Sequence, residues 1–287
     1  MILVALPSVL TLLKMPLLIE PFTSVYVTLF GLIVGSFLNV CILRLPFGES
    51  IVHPGSRCPS CQAPIRWYQN IPLISWFVLR GRCGSCSATI SWRYPFVEAL
   101  SGGTLLILWL FMETPVHFLI AAPFALGLLV LFFTDFDHQL LPDAITLSGT
   151  LAGLAFSWFN PFLGGAGWER VWYSLSGAAL GSGLLWGIGA LYGKLRGVEA
   201  MGMGDVKMMA MVGAFAGPWG VVFTIFAASL VGALVGILLI PLRGRSMQDT
   251  LPFGCFLAPA ALAALIFGRQ AVLAYFSLLV STPPPLT

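Results

Sequence analysis

Charge is what this sequence has least of. Asp, Glu, Lys and Arg together make up 9% of its 287 residues, against 58% hydrophobic. An ordinary soluble domain is about a quarter charged, so a chain this poor in charge cannot cover a water-facing surface, and a soluble fold is excluded. Histidine is almost as scarce, with only His53, His117 and His138. None of them stands in an HExxH helix, and there is no GxSxG elbow, no Walker A loop and no GxGxxG after an expected strand. Those gaps remove the zinc-helix proteases, the α/β hydrolases, the P-loop enzymes and a soluble dinucleotide-binding domain. A net charge of +3 is too small to point to nucleic acid, and no nucleic-acid partner is expected. There is no low-complexity tract and no clear internal repeat. The N-terminus lacks the basic start of a signal peptide: Lys14 interrupts its apolar stretch, and Pro7 and Pro16 would break a straight helix. Residues 1–22 therefore read as an interfacial or peripheral lead-in.

What the chain does have is long apolar runs, and about 20 such residues in a helix cross a bilayer core. They predict an all-α polytopic membrane protein with about eight transmembrane helices and a polar insertion. The runs are Thr23–Leu43, Phe96–Met112, Val116–Thr134, Ala144–Phe159, Val171–Tyr192, Val206–Phe215, Val221–Leu242 and Phe253–Phe267. The run from Val206 is short, and it either spans partially or joins its neighbour across Gly217-Pro218-Trp219-Gly220. The expected organisation is a lead-in (1–22), a first membrane helix (23–43), a polar region (44–95), a membrane core (96–281) and a proline-ended tail (282–287). Arg44, Arg57, Arg66, Arg80, Arg82 and Arg93 lie in the polar region. Lys194, Arg196 and Lys207 form a second basic cluster, and Arg243 and Arg245 a third. Alternate crossings put all three clusters on one side, as short Lys- and Arg-rich loops require, and that side is the cytoplasm. The loop Asp135–Asp143 falls on the same side.

The polar region holds Cys58-Pro-Ser-Cys61 and Cys83-Gly-Ser-Cys86, two CxxC pairs 21 residues apart. Each pair places two thiolates on one turn, and four thiolates close a tetrahedral Zn²⁺ site. Two disulfides are the competing reading, and the cytoplasmic placement argues against them because thiols there stay reduced. A four-Cys site has no open position for water. Its role is to fold about 50 residues too few and too polar to hold a core alone. Cys41 and Cys255 lie in apolar segments and read as packing residues.

Acids are few, so each is informative. Asp135, Asp137 and Asp143 stand in Thr134-Asp-Phe-Asp-His-Gln-Leu-Leu-Pro-Asp143, and Asp205 stands in Gly202-Met-Gly-Asp-Val-Lys207. Both groups fall at the cytoplasmic ends of expected membrane helices. A carboxylate there can simply be solvated or cap a helix, but ionisable groups at membrane depth are costly and mark functional sites. Two carboxylates held close cannot both ionise easily, so they share a proton and titrate as a unit. Such a pair can hydrolyse a peptide bond: the ionised partner takes a proton from water and the neutral one protonates the carbonyl oxygen. His138 neighbours the acids and is assigned a surface role. A proton-relay transporter would place its acids near the bilayer midplane and show a repeat between halves; this chain offers neither.

From Gly31 to Leu257 the sequence resembles the bifunctional bacterial type IV prepilin peptidases, the GxGD membrane aspartyl proteases. The resemblance rests on Gly35-Ser-Phe-Leu-Asn-Val with Arg44-Leu-Pro46, and on the CxxC pairs flanking Ile65-Arg-Trp-Tyr-Gln-Asn-Ile-Pro72 and Leu79-Arg-Gly-Arg82. Arg93-Tyr-Pro with Glu98, the two acid motifs and Leu251-Pro-Phe-Gly254 complete the ordered set. It implies Asp135 and Asp205 as the catalytic pair and cleavage of a basic leader after a glycine on the cytoplasmic face of the bacterial inner membrane. It further implies N-methylation of the new terminal residue, usually Phe, from S-adenosyl-L-methionine. The substrates it implies are type IV prepilins or pseudopilins, inserted in the same lipid bilayer. Methylation is associated with the N-terminal signature and the Cys-rich region, which peptidase-only members tend to lack. Cys255 departs from the family, which commonly has Pro there, and no consequence is expected.

Overall fold

The computed structural model describes residues 20–197, 202–243, 252–268 and 277. The lead-in up to residue 19, the tail 282–287, Arg245 and Leu251 lie outside the described residues. The main helices are α1 (Glu20–Arg44), the short α2 (Ile74–Val78), α3 (Arg93–Phe111), α4 (Pro115–His138), α5 (Asp143–Ala155), α6 (Trp168–Arg196), α7 (Met203–Arg243) and α8 (Gly254–Ala263). No strand forms among the described residues; two isolated bridges, Arg57 with Pro64 and Arg82 with Thr89, close turns in the polar region. The all-helical membrane fold is as expected. Five helices, α1, α3, α4, α6 and α7, are long and apolar enough to cross a membrane. The chain divides into two units, Met1–Leu126 and Gly127–Thr287.

In the first unit, α1 packs on α3. A Cβ on Gly31 would lie 2.8 Å from Gly102 Cα, and one on Gly35 would lie 2.7 Å from Glu98 Cα. In lipid, where apolar surface alone does not hold helices together, such small-residue contacts let backbones approach and gain dispersion energy. Between these helices, the polar region folds as two matching turns. In the first, Cys58 N–H donates to Ala63 O (3.0 Å) and Gln62 N–H to Cys58 O (2.9 Å). In the second, Cys83 N–H donates to Ala88 O (2.8 Å) and Ser87 N–H to Cys83 O (2.9 Å). Gln62 and Ser87 occupy the same place in each turn, with φ of 58° and 59°.

In the second unit the central feature is α7. Its 41 residues would extend roughly 60 Å if straight, about twice a bilayer core. It breaks at Gly217 (φ 68°, ψ −174°), directly before Pro218, and its two arms fold back on each other. Met209 O and Val221 Cγ2 both touch the point where a Cβ on Gly181 of α6 would stand, and Gly213 and Gly217 both meet Gly177. Residues 12 apart in one straight helix would be roughly 18 Å apart. The runs Val206–Phe215 and Val221–Leu242 are therefore the two arms of a helical hairpin. Carbonyls at the end of the first arm are satisfied by side chains: Asn160 Nδ2 donates to Phe215 O (2.8 Å) and Ser174 Oγ donates to Ala214 O (2.7 Å). In lipid an unpaired carbonyl costs several kcal/mol, so these two residues make the hairpin tip tenable. The run Ala144–Phe159 forms only the 13-residue α5 before Asn160-Pro161 turns the chain.

Candidate active site

The acids of the first motif do not sit in a loop. α4 continues through His138, so Asp135 and Asp137 belong to its last turn and the loop is confined to residues 139–142. The helix ends because Gln139 turns left-handed (φ 53°) and its N–H donates to Asp135 O at 2.9 Å, a single-bond C-terminal cap. Asp135 faces inward and is 5% exposed, whereas Asp137 and His138 are exposed. Thr134 beside Asp135 is fully buried and donates to Leu131 O. One helix turn thus delivers one shielded carboxylate and one solvated one.

Asp205 stands in the first turn of α7, where the positive end of the helix favours negative charge. Its N–H donates to Gly202 O at 3.2 Å. Its carboxylate is partly buried and lies within electrostatic reach of Asp135. The two motifs are tied together by Lys207, whose Nζ donates to Asp143 Oδ1 and Oδ2 at 2.7 and 2.8 Å. This joins the first residue of α5 to the first turn of α7. Leu141 fills the space beside Gly204, where a Cβ would come within 3.0 Å of Leu141 Cβ. The structure thus brings Asp135, Asp143, Asp205 and Lys207 to one end of the second unit.

One contributor was not expected. Cys255 N–H, at the start of α8, donates to Asp135 Oδ2 at 2.9 Å, and its thiol donates to Phe132 O at 3.4 Å. The first N–H groups of a helix have no partner within it, so α8 presents a spare donor to the buried carboxylate. Gly254 is required by the same approach, since a Cβ there would stand 2.8 Å from Asp135 Oδ2. Cys255 is buried like a packing residue, as expected, but its backbone does more than its side chain. The signal was in the sequence, as an N–H where the resembled family has an imino acid.

In the first unit, Cys58, Cys61, Cys83 and Cys86 converge, with all four Sγ atoms within 4.8 Å of one another. Cys58 Sγ and Cys86 Sγ are 3.8 Å apart, the edge of a tetrahedron with metal–sulfur bonds of roughly 2.3 Å. Backbone N–H groups of Cys61 and Ser60 pull the Cys58 thiol down to about 6. Those of Ser85 and Cys86 lower Cys83. The Ala88 N–H acts the same way on Cys86, but the neighbouring thiols and burial push that group up to about 12. Four thiolates this close need a cation among them, and the cluster fits a metal ion.

A pair of carboxylates at the ends of apolar helices in one unit and a four-thiol cluster that could hold a metal ion in the other point to the class of multi-pass membrane hydrolases. Comparison with known proteins narrows it. Residues 29–112 match the bacterial peptidase A24 N-terminal domain, and residues 122–237 match the type IV leader peptidase family. The prepilin leader peptidase/N-methyltransferase of Stutzerimonas stutzeri is 38% identical over 271 residues, covering 85% of this chain and 91% of that one. The protein of the same name from Pseudomonas putida is 37% identical over 269 residues (85% and 90%), and that from Myxococcus xanthus 41% over 231 residues (80% and 67%). No solved structure matches. The chain belongs to the type IV leader peptidase family.

Proposed function

We propose that this protein removes the leader from type IV prepilins or related pseudopilins at the cytoplasmic face of the bacterial inner membrane. It cuts after a glycine and then N-methylates the new terminal residue, usually Phe. The names of the relatives support both activities. One observation carries the peptidase assignment: two carboxylates from separate motifs within electrostatic reach, one of them fixed by a backbone N–H.

Asp135 is the general base and Asp205 the general acid. The Cys255 N–H favours the ionised form of the carboxylate it meets, so Asp135 takes the proton from water. Water oxygen attacks the scissile carbonyl carbon, and Asp205 protonates the carbonyl oxygen. The tetrahedral intermediate then collapses: the carbon–nitrogen bond breaks, the leaving amine takes the proton held by Asp135, and one hydroxyl of the intermediate returns a proton to Asp205 as the carbonyl re-forms. Lys207 and Asp143 hold the two motifs in register and do not touch the substrate. The substrate helix lies in the bilayer beside the enzyme, and its basic leader stays on the side of the Arg-rich region.

The chain crosses the bilayer eight times: the α7 hairpin contributes two crossings, and α5 and α8 one short crossing each. The four-thiol cluster holds one structural Zn²⁺, bound by Cys58, Cys61, Cys83 and Cys86, which orders residues 44–95. Methyl transfer uses S-adenosyl-L-methionine and belongs to that region; the Zn²⁺ has no open position and takes no part in it. Replacing Asp135 or Asp205 by Asn and following prepilin cleavage tests the peptidase assignment: each variant inserts in the membrane and loses cleavage. Processing near the wild-type rate by either would remove that residue from the pair.

A further inference from the structure

The first unit contains a cleft of about 490 Å³ between the end of α1 and the polar region, within the size range of small-ligand sites. Its lining combines Ser56, Trp67 and Asn70 of the polar region with Ile33, Phe37 and Arg44 of α1. Ile33 lies 11 residues before Arg44, roughly 16 Å down the helix. The cleft therefore runs from the polar region toward the membrane-spanning part of α1. Arg44 Nη1 donates to Ser50 O at 2.9 Å, which steadies a guanidinium whose planar fork suits a carboxylate. Trp67 is 81% exposed, with Tyr68 edge-on against it. An open indole face is a platform for a purine or a sulfonium cation.

One wall of the cleft is held in a costly shape. Leu73 has φ 58° and ψ −53°, a tight turn that is rare for a residue with a side chain. Ile74 N–H closes it on Pro72 O at 2.6 Å. Its neighbours Ile71 and Pro72 line the cleft. Glu98 is buried on α3, and its Oε2 accepts the Leu73 N–H at 2.8 Å. Ser75 Oγ accepts Ile71 N–H at 3.0 Å and donates to Tyr68 O at 2.8 Å. Strain of this kind persists where surrounding structure over-determines it, and it clusters at ligand sites.

We propose that this cleft binds the methyl donor, with Arg44 on its carboxylate, Trp67 stacked on its adenine ring, and Glu98 acting as a positioning residue through the Leu73 turn. The proposal rests on the methyltransferase reading given above. The polar donor enters from the aqueous end. The acceptor, whose new terminus leads into a membrane helix, approaches from the α1 end. The neutral amine attacks the methyl carbon, the carbon–sulfur bond breaks with its electron pair left on sulfur as a thioether, and the ammonium formed loses a proton to water.

Labelled S-adenosylhomocysteine, the unreactive product, binds the purified full-length protein in lipid nanodiscs, and prepilin cleavage serves as the control for folding. Trp67→Ala and Arg44→Ala weaken binding about tenfold or more, while Trp67→Phe stays within about threefold and all three cleave normally. Glu98→Gln keeps an acceptor for Leu73 N–H and binds like wild type; Glu98→Leu raises the KM for donor more than it lowers kcat. If wild type methylates pre-cleaved pilin but Trp67→Ala and Arg44→Ala bind the probe normally, the cleft is not the donor site and the methyltransferase reading stands. Loss in Trp67→Phe equal to that in Trp67→Ala would overturn the stacking role, and failure of Glu98→Gln would overturn the positioning role. If wild type neither binds the probe nor methylates, the methyltransferase reading fails and takes the cleft with it.

Discussion

Replacing Cys255 by Pro removes a backbone N–H and a thiol from the proposed catalytic centre, and replacing it by Ala removes the thiol alone. Cys255 is the second residue of α8, where proline is tolerated because the N–H has no helical partner. What Pro alone removes is the 2.9 Å bond to Asp135 Oδ2. A hydrogen bond to a charged group contributes about 1.5–3 kcal/mol. The Gly254 N–H also bears on this carboxylate, so the low end of that range applies. At about 1.4 kcal/mol per pH unit, the acidic limb of the cleavage profile in Cys255→Pro moves to higher pH by about one unit. The sign follows from the base having to be ionised: without the donor that state is reached only at higher pH. Cys255→Ala keeps the N–H and loses only the thiol, the weaker of the two contacts with Asp135, so its profile moves less than that of Cys255→Pro. Initial rates of prepilin cleavage in nanodiscs, measured across the pH range for all three proteins, decide it. Superimposed Pro and Ala profiles would refute the reasoning, and movement of the basic limb instead would exchange the roles of the two aspartates.

Other expectations are simpler. Asp137→Asn is milder than the change at Asp135, because Asp137 is exposed, and cleavage rates of the two variants show the contrast. Asp143→Asn and Lys207→Met each slow cleavage several-fold, and the double variant is no worse than the poorer single one if the pair acts as one tie; an additive double-mutant cycle would break that link. Elemental analysis is expected to give one zinc per chain for wild type and none for Cys58→Ser/Cys83→Ser, whose methylation falls more than its cleavage. Gly213→Leu forces a side chain into the backbone of Gly177, costing on the order of 1–3 kcal/mol or more. It lowers the melting temperature in detergent, while Gly183→Leu, where an added Cβ meets nothing within 4 Å, does not.

The features legible in the sequence were those that repeat along the chain. Apolar runs place the helices to within a few residues, and CxxC spacing implies the thiol cluster, whose sulfur edge is 3.8 Å. The acid motifs were placed at helix ends, although α4 runs one turn further than its apolar run because Asp135 and Asp137 continue it. What the sequence hid depends on partners far apart in the chain. Asn160 and Ser174 cap a helix arm that ends some 40 to 55 residues later. Cys255 meets Asp135 across 120 residues, and its contribution comes from the backbone, which residue identity reports only where proline would remove it. The fold-back of α7 is hinted at by Gly217-Pro218, but only contacts of Gly177 and Gly181 with both arms show a hairpin and not a kink.

Product masses test most directly whether this is one enzyme with two separate sites. Wild type with prepilin alone yields a shortened, unmethylated pilin; adding S-adenosylmethionine yields the same pilin heavier by one methyl group. Given pre-cleaved pilin and donor, Asp135→Asn and Asp205→Asn still add that methyl group although neither can cleave. A folded Asp205→Asn that cannot methylate pre-cleaved pilin would contradict the account, because the two chemistries would then share one site.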